Sequence, residues 1–295
     1  MAEGRDGGVA AAQLTRRTVR TKGTNMVSVS GNNHIDFSAR TILHNRDRLT
    51  SPHISAVITF HREGTMAAWT LEDMHRARKH LDDANLSMEL ICVLDLPDAD
   101  TCRIVTNHSI LRPYDVVLQV NNGDLGTSRN DGFSVARGTY GGTMDGDDYY
   151  SSNWLAEAYK RACQFDAPVV VHPDFLLSFG SVNCVQQFND QTLNDYPITS
   201  CIKIHPWCSC SFAPLRVYRS VPYQRTDVRE TGFGYEDWHW NLETIAHGIR
   251  HVTAPKTALF YRRKEISMQT EMQRFGAVIP PSQFFDNPED WLAAG

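Results

Sequence analysis

The residues of this sequence that are richest in chemically useful groups are 140–150, which read YGGTMDGDDYY. Asp145, Asp147 and Asp148 directly follow a run of small residues that predicts a short strand. Such a cluster of carboxylates repels itself unless a cation neutralises it. Oxygen ligands without nearby Cys or His favour Mg2+ or Mn2+ over Zn2+, and Mg2+ is usually held by one or two carboxylates together with substrate phosphates. The sequence therefore indicates a diphosphate site bridged by Mn2+ or Mg2+.

Taken alone, the same residues are also compatible with an acidic surface turn, because Asp and Gly are the ordinary residues of turns. Two specific alternatives fit less well. A calcium-binding EF-hand loop would need an oxygen ligand at its fifth position and Gly at its sixth, where Tyr149 and Tyr150 are found. A phosphatase of the haloacid dehalogenase type usually has Thr or Val two residues beyond its second Asp, and Tyr149 occupies that position.

A second acidic group is formed by Glu236 and Asp237, where the Gly-rich residues 231–234 lead into a predicted helix at 238–248. The helix dipole favours negative charge at this end, so the pair alone is compatible with an ordinary helix start. A general base that removes a proton from an attacking hydroxyl would also need a carboxylate of this kind. The two acidic groups together could therefore supply both a metal site and a base.

Length and composition exclude several classes of protein. The 295 residues are 41% hydrophobic, which suffices for a sizeable core, and the formal charge of −5 gives no general electrostatic footprint for nucleic acid. The seven cysteines contain no CxxC pair, so neither a disulfide scaffold nor a zinc site is expected and a reducing cytoplasm is the predicted setting. No apolar run approaches the roughly 18 residues of a membrane span, and the N-terminus lacks the apolar core of a signal peptide.

The elements that would position these groups alternate between strands and helices. Strands are predicted at residues 54–60, 89–94, 115–120, 167–173 and 257–261, with a strand and its approach at 207–219 and helices at 67–86 and, after a turn at 126–128, at 130–137. This order predicts an α/β fold with a parallel sheet that binds ligands at the carboxyl ends of its strands. Functional residues are therefore expected after the strands, at His61, Asp95 and Asp145.

Five short segments, taken in chain order, resemble the GT-A nucleotide-sugar glycosyltransferases of family 2. They are residues 54–60, 93–95, 126–132, 144–148 and 234–238. The resemblance covers roughly residues 52 to 265 and implies a Rossmann-like mixed, mainly parallel sheet flanked by helices. It also implies an inverting, metal-dependent enzyme that transfers a sugar from a nucleotide-diphosphate donor, commonly a UDP-sugar, to a hydroxyl of a glycan or lipid-linked acceptor.

The resemblance implies donor contacts at the ends of the first two strands of this region. Thr59 and Phe60 match the end of the family's first strand, although the residues around them depart from the family's usual Pro, Tyr and Asn pattern. Asp95 matches the acidic residue that hydrogen-bonds the base, and Leu96 and Pro97 replace the family's second Asp and its Gly.

Further donor contacts are implied at Arg129 and Asn130, which match a segment that lies beside the donor, and at Arg262. Arg262 lies in a cationic loop that could pair with the diphosphate, since the Arg fork suits phosphate oxygens. A solvated basic turn is an equal alternative for this loop.

The resemblance assigns the acidic groups to separate roles. One carboxylate of the cluster, taken as Asp145, is expected on the ribose hydroxyls, and Asp147 and Asp148 are expected at the metal. Asp237 is expected to be the catalytic base, with Glu236 and Trp238 in contact with the acceptor. These residues would make the chain a metal-dependent hexosyltransferase.

The domain organisation and setting follow from the same pattern. Residues 1–50 are predicted to be an N-terminal tail and extension, 51–270 the GT-A domain, and 271–295 a C-terminal docking segment. The protein is expected in the cytoplasm, without a membrane span, and in bacterial cell-surface glycan assembly it could be peripheral to the inner face of the membrane. Two other functions remain open: a non-catalytic nucleotide-sugar or glycan-binding protein, and a metal-dependent phosphatase or nucleotide-sugar hydrolase.

Overall fold

The structure, a computed structural model, describes residues 41–44, 51–192, 198, 200–265 and 267–286. These residues all belong to one unit, residues 37–295. Its centre is a sheet with strands in the spatial order β1-β4-β3-β2-β5-β9-β7-β10-β6, and β8 pairs with β7 outside this order. The strands, in chain order, are β1 Thr41–His44, β2 Ile54–Phe60, β3 Met88–Asp95, β4 Val116–Val120, β5 Tyr140–Asp145, β6 Tyr149–Tyr150, β7 Val169–Gly180, β8 Cys184–Gln187, β9 Ser211–Pro214 and β10 Arg250–Arg263.

Helices flank this sheet. In chain order they are α1 Thr65–Asp83, α2 Ala99–Asn107, α3 Leu125–Val135, α4 Trp154–Ala162, α5 Ser200–Lys203, α6 Leu215–Ser220, α7 Glu236–Ala246 and α8 Met268–Arg274, followed by a short 3-10 helix at Gln283–Phe285. None of the helices in the described ranges is long and apolar enough to cross a membrane.

The sheet is mixed, with a parallel core and antiparallel additions. Strand β2 is parallel to both β3 and β5, β3 is parallel to β4, and β7 is parallel to β10. Strand β9 lies antiparallel between β5 and β7 and so joins the two parallel groups. This arrangement confirms the predicted α/β fold with a mixed, mainly parallel sheet flanked by helices.

Two apolar layers cover the two faces of the sheet. Strand β2 is buried along its whole length, and its alternate side chains contribute to opposite layers, with Ile58 in one and Val57 in the other. One layer includes side chains of α1 and α4, and the other includes side chains of α3 and α6. Burial on both faces explains why apolar residues occupy both odd and even positions of the strand, which shows no strict alternation of apolar and polar residues.

Close packing of α3 onto the sheet depends on Gly132. A Cβ atom at this position would lie 2.4 Å from Cγ1 of Val57, which no real contact allows. Asp124 caps the helix by accepting a hydrogen bond of 2.7 Å from the backbone N–H of Thr127. The helix therefore begins at Leu125, whereas the sequence predicted a turn at 126–128 and a helical start at Asn130.

Residues 215–219 were predicted to form part of a strand, but they lie in helix α6, and the strand of this region is the shorter β9. The run alternates apolar and polar residues over too few positions to distinguish a strand from one helical turn. Helices α2 and α4 were not predicted. Strand β7 runs without a break to Gly180, and the hairpin with β8 follows it.

The structure describes only part of the two predicted terminal segments, residues 1–50 and 271–295. Strand β1 pairs antiparallel with the edge strand β4, while residues 1–40 and 45–50 lie outside the described residues. After α8, Phe284 is buried, and residues 287–295 lie outside the described residues. The predicted boundaries at residues 50 and 270 stay predictions.

Candidate active site

The carboxyl ends of β2, β3 and β5 gather the predicted functional residues at one edge of the sheet. Thr59 and Asp145 are partners in the parallel register of β2 and β5, and the Thr59 hydroxyl lies 3.5 Å from Asp145 Oδ1. His61 follows β2 and donates a hydrogen bond of 2.6 Å from Nδ1 to the backbone carbonyl of Asp95, at the end of β3. His61, Asp95 and Asp145 therefore lie at the carboxyl ends of neighbouring parallel strands, and their functional roles stay predictions.

A tight turn connects Asp145 to the other two carboxylates of the motif. The backbone N–H of Gly146 donates to the Thr59 carbonyl at 3.0 Å, and a Cβ atom at Gly146 would lie 2.3 Å from the ring of Phe60. Glycine is therefore required here because the chain passes directly over the end of β2.

The three carboxylates of the motif have different environments. The Asp145 side chain is 20% exposed and accepts hydrogen bonds from Arg129 at 2.9 Å and from the Ser209 hydroxyl at 2.6 Å. Asp147 forms an ion pair with the ammonium group of Lys264. Asp148 is 1% exposed and accepts a hydrogen bond of 2.8 Å from the backbone N–H of Arg262. Burial, and then the charges of Asp147 and Asp145, raise the pKa of Asp148 well above its ordinary value.

These environments decide which residues could hold a divalent cation. Among the described residues, no group of three or more His, Cys, Asp or Glu side chains is arranged to hold a metal ion. Asp147 is partly exposed and already faces the cationic group of Lys264, so it fits a site of one carboxylate plus diphosphate oxygens. Asp148 is buried and one of its oxygens accepts from the β10 backbone, and its predicted role as a metal ligand stays a prediction.

Arg129 connects the acidic motif to the start of α7. Its guanidinium group donates at 2.9 Å to Asp145 Oδ1 and at 2.9 Å to Glu236 Oε1, and the side chain is 1% exposed. Burial opposes its charge, but Asp145 and Glu236 outweigh burial and raise the pKa of Arg129 well above its ordinary value. The two acidic groups that the sequence singled out thus belong to one site.

Glu236 faces the interior of this site. Burial and then the charge of Asp237 raise its pKa to about 7, while Arg129 acts in the opposite direction. The residue before it, Tyr235, has φ of 57°, a left-handed conformation that is uncommon for a residue other than glycine. Glu236 is buried and its carboxylate is bound to Arg129, and its predicted contact with an acceptor stays a prediction.

Asp237 is the more accessible member of the pair. Its side chain is 21% exposed, and its Oδ2 atom lies 3.7 Å from Nδ1 of His205. Its Oδ1 atom accepts a hydrogen bond of 2.8 Å from the backbone N–H of Trp238. The Trp238 ring is half-buried, stacks on His205 at 5.7 Å between centroids, and donates from Nε1 to the Cys201 carbonyl at 2.8 Å. The predicted contact of Trp238 with an acceptor stays a prediction.

Three predicted donor residues have structural partners instead. The Asp95 carboxylate is buried and accepts hydrogen bonds from the backbone N–H groups of 122–124 at 2.8 to 3.2 Å and from the Ser128 hydroxyl at 3.0 Å. The Asn130 amide donates to and accepts from the backbone of Tyr223. The Phe60 ring is a core residue, 1% exposed. These side chains shape the loops around the site, and a donor contact at Phe60 would have to come from its backbone.

Two buried histidines lie below the site. His172 Nδ1 donates to the Cys210 carbonyl at 3.0 Å, so its Nε2 must accept from Nδ1 of His251 at 2.9 Å. His251 Nε2 in turn lies 2.8 Å from the hydroxyl of Thr244 on α7. Burial lowers the pKa of His172 to about 3 and that of His251 well below its ordinary value, so both rings are neutral. This chain of bonds joins β7, β10 and α7.

The structure adds three side chains to the site that the sequence analysis did not assign to it: Ser209, His205 and Lys264. They come from loops that are distant in sequence from the residues they contact, Asp145, Asp147 and Asp237. Only the basic run that ends at Lys264 carried a local signal, and it was assigned to diphosphate. Arg262 of that run binds Asp148 through its backbone and has a half-buried side chain.

Comparison with known proteins gives a match to a family model over part of the chain. Residues 55–180 match the family described as glycosyl transferase family 2, which confirms the resemblance seen in the sequence. No curated protein matches the chain by sequence.

Solved structures with the same fold include TarS 1-349 from S. aureus. Without ligand it has a TM-score of 0.54 and 14% identity, and in complex with UDP-GlcNAc it has a TM-score of 0.55 and 15% identity. The matches cover 71% and 82% of this chain and 60% and 64% of the TarS chains, so this chain spans less than two thirds of their length.

A mannosyltransferase, PcManGT from Pyrobaculum calidifontis, also has this fold and was solved in complex with GDP-Man and Mn2+. It has a TM-score of 0.53 and 12% identity, and the match covers 85% of this chain and 71% of that one. At these identities the likeness shows the fold, and the sheet described above is the GT-A arrangement.

Proposed function

We propose that this chain, whose residues 55–180 are those of a family 2 glycosyltransferase, transfers a sugar with inversion from a nucleotide-diphosphate donor, a UDP-sugar, to a hydroxyl of a glycan or lipid-linked acceptor. The proposed catalytic domain is the predicted range of residues 51–270. In the cell it works in the cytoplasm, on acceptors presented at the inner face of the membrane.

The observation that carries this proposal is the bridge made by Arg129. By binding Asp145 and Glu236 at 2.9 Å each, it brings the acidic motif at the end of β5 and the acidic start of α7 into one site. Transfer from a nucleotide diphosphate needs both groups, because one must handle the charge of the diphosphate and the other must remove a proton. An acidic surface turn would not need a buried arginine between them.

The leaving diphosphate is best accommodated at Asp147. A Mn2+ or Mg2+ ion held there would act as a Lewis acid that stabilises the charge of the departing diphosphate. Two related observations support this choice: UDP-GlcNAc is bound in a TarS structure, and GDP-Man and Mn2+ are bound in PcManGT. Asp145 is the proposed contact of the ribose hydroxyls, and Arg262, whose backbone N–H donates to Asp148, is the proposed contact of the diphosphate.

Asp237 is the proposed base because it is the accessible carboxylate at the start of α7. The acceptor hydroxyl transfers its proton to Asp237 while its oxygen bonds to the anomeric carbon. The bond from that carbon to the diphosphate oxygen breaks, and the electron pair leaves with the nucleotide diphosphate. Attack in line with the leaving group inverts the anomeric centre. Glu236 keeps Arg129 in place and is not needed as a second base.

Asp237→Asn tests the proposal. Release of nucleoside diphosphate from a panel of UDP- and GDP-sugars, with and without glycan acceptors, should fall by about 10²- to 10⁴-fold, the usual contribution of a general base. Stabilisation by the bound nucleotide should be retained. Glu230→Gln, at an exposed side chain near the same loop, is the matched control and should keep full activity.

Other outcomes identify the alternatives. An unchanged rate for Asp237→Asn removes this residue from the role of base. Nucleotide binding without sugar release from any donor indicates a non-catalytic nucleotide-sugar or glycan-binding protein. Full release without any acceptor indicates a nucleotide-sugar hydrolase or phosphatase.

A further inference from the structure

His205 occupies a defined place between two residues of α7. Its Nδ1 atom lies 3.7 Å from Asp237 Oδ2, and its Nε2 atom lies 2.8 Å from Nδ2 of Asn241. Asp237 and Asn241 are four residues apart and therefore lie on the same face of the helix. The ring is further fixed because it stacks on Trp238 with only 9° between the planes. Both nitrogens of one imidazole thus face the helix that carries the proposed base.

These contacts determine which nitrogen carries the proton. An amide nitrogen can only donate, so Nε2 of His205 must accept from Asn241. Burial lowers the pKa of His205, and although the charge of Asp237 acts in the opposite direction, the ring is neutral at pH 7. The single proton of the neutral ring is therefore on Nδ1, the atom that faces Asp237.

We propose that His205 is a positioning residue for the glycosyl transfer: its Nδ1–H group, oriented by Asn241, faces the Asp237 carboxylate at 3.7 Å, longer than a hydrogen bond, and by electrostatic attraction favours the orientation in which Asp237 acts as the base. This inference rests on the proposed function, because it requires that Asp237 removes the acceptor proton. The Trp238 backbone N–H donates to Oδ1 at 2.8 Å, and Nδ1 of His205 lies 3.7 Å from Oδ2. Each oxygen keeps a lone pair for the acceptor hydroxyl.

A neutral partner suits this task better than a charged one. A positive charge next to the carboxylate would stabilise its ionised form and weaken it as a base. A neutral N–H group restricts the rotation of the carboxylate with a smaller effect on its affinity for protons. The other titratable groups that interact electrostatically with Asp237 are Glu236, Arg129, Cys208, Tyr223 and Tyr261.

The first test is structural and needs no substrate. Nitrogen-15 NMR of histidine side chains in the full chain should show His205 at pH 7 as the neutral tautomer with its proton on Nδ1. The Nδ1 resonance should shift in Asp237→Asn. In Asn241→Leu, where no amide donates to Nε2, the ring should populate both neutral tautomers. A proton on Nε2, a charged ring, or no response to Asp237→Asn would overturn the inference.

The second test replaces His205 with Asn or with Gln. Their side-chain amide nitrogens fall at opposite ends of the space that the imidazole ring occupies. The amide nitrogen of Asn falls near the position of Nδ1 and that of Gln near the position of Nε2. His205→Asn should therefore keep donor turnover within about threefold of the wild type, whereas His205→Gln should lower kcat by about 10- to 100-fold, the cost of a misplaced catalytic group. The KM for the donor should be unchanged in both, and the dependence of kcat on pH should change only in His205→Gln.

The outcomes separate this inference from the proposed function. If Asp237→Asn abolishes turnover while His205→Gln is fully active, the function stands and the inference falls. Equal losses in His205→Asn and His205→Gln would indicate a merely structural role and would also overturn it. If Asp237→Asn is fully active, the proposed base is wrong, and the role of His205 falls with it whatever its tautomer.

Discussion

Arg129 is a buried cation that depends on two carboxylates for its stability in the fold. It bonds to Asp145 and Glu236, and its guanidinium group lies 5.3 Å from the centre of the Tyr223 ring. Its Nε atom has no hydrogen-bond partner among the described residues. A buried charge of this kind contributes little net stability while paired, but the loss of one partner leaves the other charge uncompensated.

Replacing Arg129 should therefore lower the free energy of unfolding by more than the net contribution of its two ion pairs, because two carboxylates lose their partner. Arg129→Met would leave Asp145 and Glu236 without their cation, and we expect the free energy of unfolding, measured with urea, to fall by about 3 to 5 kcal/mol. The pKa of Glu236, about 7 in the intact site, should rise further. Arg216→Met, at an exposed arginine of α6, is the control. A change below 1 kcal/mol in Arg129→Met would contradict the bridging role.

At this scale, the sequence predicted the residues whose type alone suggests chemistry. Asp145, Arg129 and Asp237 are close together as expected. The sequence does not show which polar side chains form hydrogen bonds within the fold. Asp95 and Asn130 have the right types and positions, but backbone groups of loops far along the chain satisfy their hydrogen bonds.

Among the elements, the predictions were most accurate where burial alone determines the structure. Strand β2 was predicted with its bounds, because seven consecutive buried residues rich in β-branched side chains have no competing helical pattern. Helix α6 was predicted as a strand because its six residues are too few to show a period. The start of α3 was missed because its cap, Asp124, precedes two residues that also suit a turn.

The pair formed by His172 and His251 links two long strands to α7 and should make the fold sensitive to acid. The folded-state pKa of His172 is about 3, below its ordinary value of 6.5. Between these values the unfolded chain binds more protons, so stability is full above pH 6.5 and is lost as pH falls. The loss should be about 1.4 kcal/mol per pH unit for each such histidine.

Urea unfolding between pH 7.5 and 4.5 tests this expectation. The wild type should lose stability more steeply than His172→Gln, which lacks the titrating ring, although the variant will be less stable at pH 7.5. His75→Gln, at an exposed residue of α1, should keep the slope of the wild type. Parallel curves for the wild type and His172→Gln would show that this histidine does not contribute to acid sensitivity.

For the whole molecule, ligand binding should be visible as a gain in stability. A ligand that binds only the folded state adds about 2.7 kcal/mol at 100 times its Kd, so UDP with Mn2+ should raise the Tm by several degrees. We expect chelator, or Asp147→Ala, to remove the metal-dependent part of this shift. Asp166→Ala, at an exposed carboxylate remote in sequence, should leave it intact. The same shift with and without metal would argue against a cation at Asp147.

Strand β1 has a consequence for the behaviour of the molecule in concentrated solution. It is four residues long and mostly exposed, yet it covers the outer edge of β4, whose five residues are all buried and mainly valine and leucine. An uncovered edge of this composition is a template for pairing with strands of other molecules. The short strand therefore protects this edge, and its detachment would expose a row of unpaired backbone groups through which copies of the chain would pair.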